Sequence, residues 1–151
     1  MRTYLAVIND APEARVALRF AARRAAKTGG AILILALVPP PEFVQWGGVQ
    51  AAMEEEERLR AEAMVAEAAG ALIEETGLQP EITVRQGEPI ATVRALLAER
   101  PEIAALVLGA APGAAPGPMV ECFGGAEVGQ MPCPVMIIPG GLSDEALDRL
   151  S

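Results

Sequence analysis

The chain has 151 residues, a length that argues for one domain built around one core. Apolar residues make up 52% of it, which excludes a disordered chain, and two cysteines are too few for a disulfide framework. Twelve basic residues stand against twenty acidic ones, and the net charge of −8 opposes binding to nucleic acid. The absence of histidine excludes Ser-His-Asp and Cys-His catalysis and His-ligated metal sites.

The amino-terminal segment predicts a first strand, Thr3–Ile8, because its apolar stretch meets Asn9 and Asp10 too soon for a secretory signal. A helix, Pro12–Thr28, follows, with proline in its first turn and two glycines after its end. The second strand, Ala31–Val38, is the longest strongly apolar run. Its eight residues fall far short of the roughly 20 that a membrane span needs. We therefore expect a cytoplasmic protein that binds neither membranes nor nucleic acid.

The second half of the chain continues the same alternation of apolar runs and helical periodicity. A long helix is predicted over residues 49–76, and a short capped one after Ser143. Between them come a strand over 81–85, the helix Pro89–Glu99, a strand over 103–108, a glycine-interrupted helix over 119–130 and a strand over 135–138.

Continuous Val, Ile and Leu runs of this length are typical of strands buried on both faces of a parallel sheet. Strands that alternate with helices predict an α/β fold: a doubly wound open sheet of five parallel strands with helices on both faces. No linker or repeat divides the chain, so we expect a single domain over residues 1–151, with a short carboxy-terminal tail or helix at about 141–151.

Ligands of open parallel sheets bind at the carboxyl ends of the strands, where the strand order reverses. The loop over residues 109–118, after the fourth strand, is rich in glycine, whose backbone amides approach phosphates closely. However, three prolines in this loop remove N–H donors, and no lysine or arginine lies between Arg100 and Arg149. A plain surface loop and a weak phosphate-binding loop both remain open.

Five segments, in order along the chain, resemble motifs of the universal stress protein family. The most specific is Pro-Cys-Pro-Val-Met-Ile-Ile-Pro at residues 132–139, which is close to the family's P-C-P-V-x-V-V-P. Residues 9–14 resemble its V-D-x-S-x-x-S turn, and residues 31–39 resemble its second strand. Residues 86–89 resemble the G-x-P start of a helix, and residues 106–109 resemble the V-x-G of the fourth strand.

The resemblance implies the strand order 3-2-1-4-5 and a homodimer formed through the fifth strand. In that order the fifth strand lies at an edge of the sheet, where unpaired backbone groups and apolar side chains favour pairing with another chain. The implied interface residues are Val135, Met136, Ile137 and Ile138.

The chain departs from the pattern of the ATP-binding members of that family. They carry an aspartate at the end of the first strand, where this chain has Asn9 or the displaced Asp10. They also carry the motif G-x-x-G-x9-G-S/T, whereas Gly109 and Gly113 are separated by three residues rather than two.

The G-S/T position of the same motif falls on Glu121 and Cys122 without a gap, or on Gly124 and Gly125 with one. The phosphate-binding hydroxyl is lost in either register. In the first register a carboxylate would take its place and repel a triphosphate.

These departures predict a non-enzymatic stress-response or regulatory homodimer with a degenerate nucleotide pocket, no metal site and no catalytic residues. The alternative is a functional member of the family that binds ATP or AMP through a modified loop after the fourth strand. The candidate nucleotide-binding residues are Asn9, Asp10, Val38, Gly109, Gly113, Gly124 and Gly125.

Two aromatic residues and two cysteines have further possible roles. Phe43 and Trp46, in the loop after the second strand, either stack on a planar ligand or cover the edge of the core; burial is the favoured interpretation. Cys122 follows Glu121 rather than a basic residue, so a low thiol pKa is not expected. We predict that Cys122 and Cys133 are structural and buried.

Overall fold

The computed structural model describes residues 1–40 and 47–151. Strands and helices alternate along the chain, and the first half contains β1 (Thr3–Ile8), α1 (Pro12–Thr28), β2 (Ala31–Val38) and α2 (Gly47–Thr76). The second half contains β3 (Glu81–Gln86), α3 (Pro89–Glu99), β4 (Ile103–Ala110), α4 (Pro118–Glu121), β5 (Val135–Pro139) and α5 (Asp144–Leu150).

All five strands are parallel and lie in the order β3-β2-β1-β4-β5, which confirms the predicted fold class and strand order. Right-handed crossovers explain where the helices lie. The chain moves one way from β1 to β3 and the other way from β3 to β5, so α1 and α2 cover one face of the sheet and α3 covers the other. Alternate residues of β1 and β2 therefore enter two separate cores.

The predicted helix over 119–130 is broken into three short pieces. After α4 the chain forms a π-helical turn, Cys122–Ala126, and a 3-10 turn, Val128–Gln130. Glycines interrupt this segment, and they stabilise a helix interior poorly, so no regular helix forms. Phe123 is nevertheless fully buried and anchors the segment to the core beneath α3.

Ion pairs and an apolar contact hold α5 against α1. The Ser143 hydroxyl accepts a hydrogen bond from the Ala146 amide at 3.2 Å and caps α5, while Leu147 is buried in the core. Arg19 and Arg23 of α1 pair with Asp144 and Asp148 of α5. Lys27, near the end of α1, adds hydrogen bonds to two carbonyl groups, those of Asp148 and Ser151, each at 3.0 Å.

Two glycines allow the first turn of α1 to lie directly on the ends of β4 and β5. A Cβ atom at Gly109 would lie 2.0 Å from the carbonyl oxygen of Glu13. A Cβ atom at Gly140 would lie 2.5 Å from the carbonyl oxygen of Ala110 and 2.6 Å from Cβ of Glu13. Since neither backbone can give way cheaply, this contact requires glycine at both positions.

Within the described residues, no helix combines the length and apolar character that crossing a membrane requires.

The contact at Gly109 predicts opposite effects for two glycine-to-alanine substitutions. Gly109→Ala should lower the free energy of unfolding by about 3 kcal/mol, because the added methyl group overlaps the α1 backbone. Gly70→Ala, in the exposed interior of α2 with nothing within 4 Å of the new Cβ, should raise it by roughly 0.5–1 kcal/mol. Urea unfolding of both variants tests this, and a Gly109→Ala protein as stable as the parent would contradict it.

Candidate functional site

A cavity of about 370 Å³, here called the large cavity, lies at the carboxyl ends of β1 and β2, between α2 and α3. Its volume falls within the roughly 300–1,000 Å³ typical of small-molecule sites. The walls are mainly apolar and include Leu37, Val38, Ala61, Met64, Ile90 and Met119. Five polar or charged side chains interrupt them: Asn9, Asp10, Glu57, Arg60 and Glu88.

Asn9 and Asp10 form the turn that leads from β1 into α1. The Asn9 Oδ1 atom accepts a hydrogen bond from the Ala11 amide at 2.9 Å, which is the geometry of an Asx turn. This fixes the side chain of Asn9, which is half-buried, and leaves its amide nitrogen as a donor. Asp10 is exposed at the edge of the cavity.

Helix α2 contributes one acid and one base to the large cavity. Glu57, Arg60, Ala61 and Met64 follow the i, i+3, i+4, i+7 spacing of a single helical stripe, which explains why all four line it. The Arg60 Nη1 atom lies 3.5 Å from Oε1 of Glu57, so its charge already has a partner. Sequence reasoning missed this arginine, although its place on the same helical stripe as Ala61 and Met64 could have indicated that it lies on the cavity side of α2.

Glu88 lines the large cavity where α3 begins. Its two carboxylate oxygens accept hydrogen bonds from the amides of Ile90 and Ala91, at 3.0 and 2.8 Å. First-turn amides of a helix are ordinarily good donors to a bound anion. In this chain the carboxylate of Glu88 already occupies the donors at the start of α3.

A smaller cavity of about 140 Å³, here called the small cavity, adjoins the large one at the β1–β4 junction, where the strand order reverses. Asn9, Pro118 and Met119 line both cavities, so the two share a wall. The half-buried Glu13 is the one charged residue among those that line the small cavity in the described part of the chain. An acidic residue therefore lines each cavity, Glu88 the large one and Glu13 the small one.

The structure brings together only some of the candidate nucleotide-binding residues. Asn9, Asp10 and Val38 line the large cavity, and Asn9 and Gly109 line the small one. Gly113, Gly124 and Gly125 line neither of these two cavities.

Local contacts account for the positions of two of the three glycines that line neither cavity. The Gly113 amide donates to the carbonyl of Ala111 at 2.9 Å, within a loop that closes on itself. Gly124 lies beneath the side chain of Ile137, where a Cβ atom would come within 2.5 Å of Cδ1. Phe43 and Trp46 lie outside the described residues.

The implied interface strand, β5, forms one edge of the sheet. Ile138 is buried, and the half-buried Val135 and Met136 pack against the two cores. Ile137 is 41% exposed and presents an apolar side chain at this edge.

Both cysteines are free thiols, and each is half-buried rather than fully buried. The Cys122 Sγ atom donates to Oε2 of Glu127 at 2.6 Å, and Arg94 pairs with the same carboxylate. This hydrogen bond raises the pKa of the Cys122 thiol, and burial raises the pKa of the Cys133 thiol. Within the described residues, no group of three or more acidic or cysteine side chains is placed to hold a metal ion.

Comparison with known proteins identifies the family. Residues 1–139 match the family model of the universal stress protein family, and the chain belongs to that family. A comparison with curated protein sequences found no match.

Solved structures share the same fold. Universal stress protein UspA from Lactobacillus plantarum is similar with a TM-score of 0.78 and 19% identity, over 91% of this chain and 97% of that one. The universal stress protein from Archaeoglobus fulgidus in complex with dAMP is similar with a TM-score of 0.58 and 20% identity, over 91% and 97%. An Arabidopsis thaliana family protein with AMP bound has a TM-score of 0.55 and 16% identity, over 96% and 95%.

The raised pKa of Cys122 predicts a slowly reacting thiol. In a Cys133→Ala background, Cys122 should react with a thiol reagent at neutral pH more slowly than free cysteine, because less of it is thiolate. Glu127→Gln should speed the reaction at least about threefold, since it removes the acceptor that favours the protonated thiol and leaves Arg94 in place. An unchanged or slower rate in Glu127→Gln would contradict the assigned cause.

Proposed function

We propose that this protein acts as a cytoplasmic, non-enzymatic regulator in the stress response, as a homodimer whose pocket does not hold a nucleoside triphosphate. The observation that carries the proposal is the charge of the two adjoining cavities. Glu88 occupies the helix amides at the large cavity, and Glu13 lines the small one.

Electrostatics supports the exclusion of a triphosphate. Like charges that approach within a few ångströms repel strongly at the reduced dielectric of a partly buried site. Arg60 is the one basic residue among the described residues that line the two cavities, and Glu57 partly neutralises it. Residues 41–46 include no lysine or arginine that could supply another positive charge.

A non-enzymatic role is consistent with where the reactive side chains lie. The sequence has no histidine, and its single lysine, Lys27, donates to the carbonyl groups of Asp148 and Ser151 near the amino-terminal edge of the sheet. The cavities lie at the opposite, carboxyl edge. The Cys122 thiol is held protonated by Glu127, so it makes a poor nucleophile.

A second function, binding of a nucleoside monophosphate, is favoured by two specific observations. The large cavity is of suitable size and contains Arg60, and related folds from Archaeoglobus fulgidus and Arabidopsis thaliana hold dAMP and AMP. The two functions differ in whether the pocket binds a phosphorylated nucleoside, and a titration measures that affinity directly.

Titration calorimetry with magnesium-ATP tests the proposed function. We expect no saturable binding, or a dissociation constant weaker than about 1 mM, because four acidic residues and one arginine line the two cavities in the described part of the chain. A dissociation constant in the micromolar range would contradict the proposal.

Assembly through β5 is tested by light scattering. We expect the parent protein to have twice the 15.7 kDa mass of the chain and Ile137→Glu to be monomeric, because the charge would be buried at the paired edge. Ile82→Glu is the matched control: Ile82 is 43% exposed on β3, the opposite edge strand. Monomeric parent protein, or dissociation of the control alone, would contradict assembly through β5.

A further inference from the structure

We propose that the face of α1 beneath α5 is a binding surface for an acidic amphipathic helix of a partner protein, and that α5 occupies this surface until the partner displaces it. The surface, here called the α1 basic face, comprises Arg19, Arg23 and Lys27. None of the three residues lines either cavity, so this inference goes beyond the proposed function and does not depend on it.

Positive charge is concentrated on α1, although the chain as a whole is acidic. Five of the twelve basic residues lie in this helix, and Arg19, Arg23 and Lys27 follow one another at i, i+4 spacing. Glu75 of α2 lies 3.2 Å from Nη2 of Arg19 and 3.9 Å from Nη2 of Arg23. Because these two contacts do not involve α5, they would still orient both guanidinium groups after α5 has left. The α1 basic face is therefore preorganised for an acidic ligand.

The contacts of α5 show which ligand pattern fits the α1 basic face. Asp144 pairs with Arg19, and Asp148 pairs with Arg23. Between the two aspartates, Leu147 is 1% exposed and belongs to the core on the α1 side of the sheet. These three residues follow the spacing i, i+3, i+4, which places two acids and one apolar side chain on the same side of a helix. An acidic amphipathic helix with this pattern is therefore the class of partner that fits.

Helix α5 is a weak occupant of the surface. Its seven residues are too few to form a stable helix in isolation. The side chains of Asp144 and Asp148 are 74% and 72% exposed, and ion pairs of exposed groups stabilise little. Leu147 is buried, whereas Leu150 is 52% exposed. A longer helix with the same pattern forms more readily and adds contacts, so it can displace α5 despite the high effective concentration of a segment of the same chain.

Fluorescence anisotropy with a labelled peptide that copies residues 141–151 tests the assignment on the full chain. The double variant Asp144→Asn/Asp148→Asn weakens the grip of α5 on α1 without a change in the core. We expect it to bind the peptide at least about tenfold more tightly than the parent, because its own α5 competes less well. Glu145→Gln, which neutralises another exposed acid of α5, is the matched control and should stay within about twofold of the parent.

Two further changes test the contacts themselves. Arg23→Gln added to the double variant should weaken peptide binding at least about fivefold, because it removes the partner of Asp148. A peptide that carries Leu147→Ser should bind the double variant at least about tenfold more weakly, because it loses the apolar contact.

The outcomes decide between a partner, a second copy and no binding surface. Failure of the double variant to bind the peptide, or binding that Arg23→Gln leaves unchanged, would overturn the proposal. A higher mass of the double variant than of the parent in light scattering would show that α5 passes to a second copy, and would overturn the assignment to a partner protein. An unchanged mass together with tight, arginine-dependent peptide binding is the result we expect.

Discussion

The first turn of α1 packs directly on the ends of β4 and β5, and this close packing fixes where α1 lies on the sheet. Gly109 and Gly140 leave no space for a Cβ atom beside Glu13, so the start of the helix rests directly on the strand ends. This contact places α1 at the junction where the strand order reverses, and it makes Glu13 one of the residues that line the small cavity. The packing at the start of α1 therefore also places an acidic residue at the small cavity.

Positive charge in the described part of the chain is engaged mainly away from the two cavities. Arg85 and Arg100 pair with the carboxylates of Glu99 and Glu81, and Arg94 of α3 pairs with Glu127. Arg19 and Arg23 of α1 hold α5 in place, and α5 lies beyond residue 139, where the match to the family model ends. The large cavity keeps Arg60 with an acidic partner, so apolar contact and a few hydrogen bonds are left to recognise a ligand.

Local sequence signals account for most of the fold, because apolar runs and proline or glycine boundaries act over short distances. The bounds of β1, β2, α1 and α3 agree with the predicted ones, whereas the strand order followed from the family resemblance.

The site was harder to predict, because its charged residues come from separate elements. Arg60 lies on a long acidic helix, and Glu88 is not among the residue types that usually cap a helix. Gly113 was a candidate because it is a glycine near the motif position, but its amide donates a hydrogen bond within its own loop.

We propose that carboxylates, rather than missing donors alone, exclude phosphate from the pocket. The dependence of AMP affinity on salt concentration, measured by calorimetry beside that of adenosine, tests this most directly. Screening weakens repulsion as well as attraction. If carboxylates exclude the phosphate, AMP should bind more tightly as the salt concentration rises, while adenosine affinity stays constant. AMP affinity that falls with added salt would show that positive charge attracts the phosphate, and would contradict the claim.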